Sequence, residues 1–215
     1  MKKVLIVLLL AAAFCGVTTA AGTTAEEIMA NMEKTDKTVN SLEFDFQQEI
    51  VYILTNEKNI NAGKVSFQKP DSICMLQTSP LEQTVITNGK KVWIYTPKYK
   101  QVIIDSWKKW TSNSLVPITI INFGKEWKGL KKRYVITSEG MDSGKYVLLF
   151  VPKEKEGYKM KFWVEPESYI PVKIEIIGNN VTIVTEMKSK TINPIIDKKI
   201  FNFKAPAGVE VMNLP

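Results

Sequence analysis

From Leu42 onward the side chains of this protein alternate with a period of two, and they do so almost to the C-terminus. "LEFDFQQEIVYI" sets Leu42, Phe44, Phe46, Gln48, Ile50 and Tyr52 on one face of an extended strand, with Glu43, Asp45, Gln47 and Glu49 on the other. "AGKVSFQKP", "SICMLQTSP", "QTVITNG", "KKVWIYTP" and "KQVIIDS" follow. Then come "RYVITSEG", "KYVLLFVPK", "YKMKFWVEPE", "IPVKIEIIG", "VTIVTEMKS" and a closing "KIFNFKAPAGVEVM". Most of these end in Pro, Gly, Asn or Ser, residues that stop a strand or turn the chain. Roughly a dozen short strands at near-regular spacing predict a large antiparallel sheet, sandwich or barrel.

Two stretches depart from that period. Thr24-Ala25-Glu26-Glu27 is a capping box, and Ile28, Met32, Val39 and Leu42 then recur at helical spacing. They predict an amphipathic helix of about four turns, with methionines on its inner side. "SWKKWTSNSLVPITIINFGKEWKGLKK" reads as two short helical pieces: Pro117 suits a first turn, and Ile118 and Ile121 follow on one side. With no internal repeat or interdomain linker in view, residues 21–215 are expected to form a single domain.

One strand raises a question. After the Asn88-Gly89 turn, Val92 and Ile94 lie on one face and Trp93 and Tyr95 on the other, and both faces are apolar. A sheet with one wet face should be polar at every second residue, so something must cover the second face here. Trp93 and Tyr95 are assigned to a cavity, since Val92 and Ile94 already supply a core. A one-residue change of register would swap the two sets.

The N-terminus reads as a leader. Lys2 and Lys3 precede the apolar run Val4–Cys15 and the small residues of "GVTTAAG". Residues 1–20 are expected to be a cleaved signal peptide, cut after Ala20 or Ala21, which places the protein in the periplasm. Phe14 is too bulky to precede a lipidated Cys15, so ordinary cleavage is favoured. Removing the two lysines takes the formal charge from +7 to +5. The basic residues alternate with apolar ones along strands and all but Arg133 are lysines, which is a solvated face rather than a nucleic-acid stripe. Cys74, alone in the mature chain, is expected to be a small core residue.

The chain has no histidine, which excludes His-dependent nucleophilic catalysis and most zinc and iron sites. Glu165 and Glu167 are a nominal carboxylate pair, but they flank Pro166 in a turn, where acids are ordinarily solvated. No enzyme activity and no cofactor are expected.

"GKVSFQKP", "ITNGKKVWIYTPKYKQV", "KFWVEPESYIPVKIEI" and the ending "FNFKAPAGVEV", in this order and spacing, resemble the LolA group of periplasmic lipoprotein carriers. The resemblance covers essentially the whole mature chain. It implies a mainly β fold with a helical lid: a curved, unclosed antiparallel half-barrel of roughly eleven strands over an apolar cavity. It implies a carrier that accepts acylated lipoproteins from an inner-membrane ABC transporter and delivers them to an outer-membrane acceptor, as a monomer. Met29, Met32, Phe44, Phe46, Phe67, Ile73, Met75, Trp93 and Tyr95 are the residues expected around the acyl chains. Many members carry Arg before the Pro of "GKVSFQKP" and use it to latch the lid. Here the residue is Lys69, a compact charge without Arg's planar fork, so a differently built latch is expected. A sensor or acceptor with the same fold, or a general envelope lipid binder, is the alternative.

Overall fold

In the computed structural model, residues 23–109, 127–154 and 157–214 are described. The expected leader and Pro117, Ile118 and Ile121 lie outside them. Helix α1 (Ala25–Thr38) starts as its sequence requires: the Thr24 hydroxyl accepts from the Glu27 amide at 3.2 Å, and the Thr24 amide donates to the Glu27 carboxylate at 2.9 Å. Glu26 and Glu27 also place negative charge at the positive end of the helix. Ile28, Met29 and Met32 are buried along one side.

Strands β1 (Ser41–Tyr52), β2 (Glu57–Gln68), β3 (Ser72–Ser79), β4 (Gln83–Asn88), β5 (Lys91–Thr96) and β6 (Gln101–Ser106) form an antiparallel meander. Helix α2 (Trp127–Arg133), the second of the two expected helical pieces, leads into β7 (Tyr134–Asp142). A second meander follows through β8 (Lys145–Pro152), β9 (Lys159–Val164), β10 (Pro171–Ile177) and β11 (Val181–Ile192). β11 pairs with β1, which joins both meanders and the closing strand β12 (Glu210–Asn213) into one sheet, of 12 strands among the described residues, in the order β12-β6-β5-β4-β3-β2-β1-β11-β10-β9-β8-β7.

The sheet curves and stays open; among the described residues β12 and β7 are its two ends. Register breaks at Asp45/Phe46, Ala62/Gly63, Ser138/Met141 and Pro171/Lys173 bend it. At the second of these a side chain is impossible: a Cβ on Gly63 would stand 2.1 Å from the Leu76 carbonyl oxygen.

The closing segment differs from the expected strand. It makes a short 3-10 turn (Lys198–Phe201), then an irregular link through Pro206 and Gly208, and only then β12 (Glu210–Asn213). β12 runs parallel to β6, with the Glu210 amide on the Lys100 carbonyl and the Leu214 amide on that of Ile104, both at 2.9 Å. The segment cannot extend as one strand because Pro206 lacks an amide proton and Gly208 turns at φ +75°. The antiparallel expectation thus holds for eleven strands and fails at this edge.

The main core lies on the inner face. It takes side chains from α1, from α2 (Trp127, Leu130), and from strands on both sides of the β1–β11 junction. Phe150 and Phe162 are fully buried there with ring centroids 4.5 Å apart.

Candidate functional site

The inner face is built from cross-strand rows. Leu42, Phe67, Ile73, Thr87 and Val92 stand opposite one another along one row, and Phe44, Val65, Met75, Val85 and Ile94 along another. Facing side chains in such rows are close enough to form a continuous apolar wall. Met29 and Met32 of α1, each 1% exposed, belong to the same cluster. The structure therefore brings together Met29, Met32, Phe44, Phe46, Phe67, Ile73 and Met75.

Trp93 and Tyr95 are not among them, and their assignment to the cavity is corrected. Val92, fully buried, and Ile94 point inward; Trp93 and Tyr95 point outward. The outer face of β3–β5 is covered by the chain's own tail: Trp93 packs with Cys74, Ile86 and Phe201, and Tyr95 lies 5.8 Å from the Phe203 ring. Both faces of β5 are apolar because one meets the core and the other meets this strap. Burial also raises the pKa of the Cys74 thiol, which disfavours the reactive thiolate. Trp93→Ala should destabilise the fold by roughly 2–3 kcal/mol through the hole left under the strap. Acyl-chain affinity should stay at the wild-type value, as a thermal melt and a lipid titration on the same sample would check.

The inner wall is filled rather than empty, because α1 lies on it. A cleft of about 260 Å³ remains between α1 and β7, lined by Ala25, Glu26, Met29, Lys131, Tyr134 and Ile136. That is below the range of about 300–1,000 Å³ typical of small-molecule pockets.

Polar contacts at the C-terminal end of α1 hold it down. Lys69 Nζ donates to the Asp36 backbone carbonyl and stands 3.6 Å from its Oδ1. Asn193, between β11 and Pro194, does more: its Nδ2 donates to the Thr38 carbonyl at 3.0 Å, and its Oδ1 accepts from the Asn40 amide at 2.7 Å. Glu33 pairs with Lys131 of α2 at 2.5 Å. Burial raises the pKa of Asp36, and the charge and hydrogen bond of Lys69 only partly offset it. Sequence reasoning reached Lys69 through the family resemblance but missed Asn193 and the Glu33–Lys131 pair. The signal for Asn193 was its place before a proline in a turn, where Asn tolerates positive φ, here 55°.

Glu165 does not behave as a catalytic acid. Burial works against its ionisation, but hydrogen bonds from Lys190 at 2.5 Å and Ser168 at 2.9 Å lower its pKa. A glycosidase acid needs the opposite shift.

A family model described as "Outer membrane lipoprotein carrier protein LolA" matches residues 37–204. An outer-membrane lipoprotein carrier protein of Francisella tularensis is 27% identical over 182 residues, covering 82% of this chain and 83% of its own. That of Proteus mirabilis is 27% identical over 215 residues, covering 98% of each. Among solved structures, an uncharacterized conserved protein from Thermus thermophilus superposes with a TM-score of 0.58 at 11% identity. It covers 88% of this chain and 99% of its own, and shows the fold alone.

Proposed function

The chain belongs to the LolA family, and from that premise we propose that it is a periplasmic carrier for acylated lipoproteins. It would act as one domain over residues 21–215 and as a monomer, accepting cargo from an inner-membrane ABC transporter and passing it to an outer-membrane acceptor. The observation that carries this reading is a continuous apolar inner wall covered by a helix rather than by a second sheet. Exposing an acyl chain to water costs about 0.8 kcal/mol per methylene, so a carrier must bury nearly all of it. The apolar side of α1 occupies the wall when cargo is absent, and acyl chains replace it when cargo arrives. Exchange of one apolar cover for another keeps the net free energy small enough for release. Met29, Met32 and Met75 suit the task, because unbranched thioether side chains repack around chains of differing shape. Nothing in this cycle requires covalent chemistry.

Native mass spectrometry of the mature protein purified from the envelope tests the proposal. An adduct with the mass of a triacylated or diacylated lipoprotein is expected. Phospholipid alone would replace the lipoprotein reading with general lipid binding, and a chain that stays free of lipid in acyl-probe titrations would overturn both.

A further inference from the structure

Besides Thr87, the described inner wall carries a polar rung across three strands. Gln48 on β1 stands opposite Thr185 on β11 and Asn61 on β2, so three polar side chains share a single row at the middle of the sheet. Gln48 is 7% exposed and Thr185 2%. The Gln48 amide nitrogen donates to the Thr185 hydroxyl oxygen at 3.0 Å, and its amide oxygen accepts from Asn61 Nδ2 at 3.1 Å. On one side the rung meets Phe46 and Met187, and on the other Ile50 and Ile183, all packed on the apolar core.

Such a row has a desolvation cost that an apolar row would not have, because a buried amide or hydroxyl gives up its hydrogen bonds to water. The two internal hydrogen bonds offset only part of it. What they leave over includes two buried donors. The second Gln48 amide proton and the Thr185 hydroxyl proton have no acceptor among the described residues, and Asn61 Oδ1 is an open acceptor at the less buried end of the row. The buried end of the rung can therefore donate to a group that accepts.

Resting on the carrier reading, we propose that Gln48, Thr185 and Asn61 form a carbonyl-binding subsite for the ester or amide linkages of the cargo's acyl chains. The position fixes the ligand's direction. On one side of the rung the wall is apolar through Phe46 and Phe44 toward the latch, which receives the hydrocarbon. On the other side, Ile50 leads to Tyr52 and to Leu54 at the β1–β2 turn, 42% and 82% exposed, where the polar head emerges into solvent. Carbonyls sit at the junction of these two zones in any acylglycerol or N-acyl group. The rung therefore sets how deep the chains slide.

The test compares a fluorescent diacylglycerol with its dialkyl ether counterpart of equal chain length, both titrated into the purified mature protein. Wild type should bind the diester about fivefold to tenfold more tightly, the worth of one to two modest hydrogen bonds. The Gln48→Met/Thr185→Val double variant, apolar and close in shape, should bring that ratio to about one while ether affinity stays within about twofold. Thr185→Val alone, the smaller change, should give an intermediate ratio and guards against misfolding of the double variant. Equal binding of both probes by wild type, or a ratio that survives the double substitution, would overturn the subsite and leave the carrier reading intact. Failure of wild type to bind either probe would overturn both.

Discussion

Lys69→Leu is expected to lower stability by about 2 kcal/mol at neutral pH, or roughly 5 °C in Tm for a chain of this size. It should also tighten acyl-chain binding by tenfold or more. The first effect follows from what the lysine leaves behind. The Asp36 side chain is 9% exposed and Lys69's is 28% exposed, so removing the cation strands a buried carboxylate. The second effect follows from where the pair sits. It ties the end of α1 to the β2–β3 connection, and therefore favours only the form in which the helix lies on the wall. Apparent affinity falls by the fraction of molecules in the open form, so about 2 kcal/mol less support for the closed form raises uptake by roughly thirtyfold while the open form remains minor. Release to an acceptor should slow in step. Unchanged binding in Lys69→Leu would mean that α1 does not open at this end.

The pH dependence gives a separate check. Burial holds the Asp36 pKa above its ordinary value, so the folded protein takes up this proton before the unfolded chain does. Its contribution therefore shifts in favour of folding as pH falls through the folded pKa, down to the unfolded value of about 4. In Lys69→Leu nothing offsets the burial, and the pKa rises further. The stability deficit of the variant should thus be greatest at neutral pH and shrink already on mild acidification, whereas the deficit left by a lost surface ion pair fades only near and below about pH 4. Adding Asp36→Asn should recover most of the loss, because no buried charge then remains; thermal melts across a pH series read all three proteins.

Much of this architecture is written locally in the chain. The capping box at Thr24 and Glu27 fixes where α1 begins, since both partners lie within one turn. The alternation in "LEFDFQQEIVYI" fixes which face of β1 is inner, because acids fill its other face. β5 offers no such contrast. Its outer face is covered by Phe201 and Phe203, more than a hundred positions away, so its own residues cannot tell wall from strap. The clue lay in the tail: "IIDKKIFNFK" carries five large apolar residues, more than a solvated terminal strand would need. The parallel course of β12 was hidden for a similar reason. Strand direction there depends on how the strap crosses the sheet, which no local period encodes. Gln48 was visible as the one polar residue on an apolar face, but its partners come from strands whose pairing is set by the whole fold.

Phe46→Ala separates the wall from the strap more sharply than any single structure-based argument. Phe46 is 5% exposed, stands opposite Gly63 on one side and Met187 on the other, and borders the Gln48 row. Glycine offers no side chain to collapse into the space, so truncation should leave most of the ring's volume as a cavity and lower stability by about 3–4 kcal/mol, near 10 °C in Tm. An acyl chain lying on the wall would fill that cavity and restore its dispersion contacts. With saturating lipid the deficit of Phe46→Ala should therefore shrink by half or more, whereas that of Trp93→Ala, whose ring lies under the strap on the opposite face, should not change. Paired melts with and without lipid measure both. Equal rescue of the two variants would place the acyl chains elsewhere, and rescue of Trp93→Ala alone would return them to the outer face.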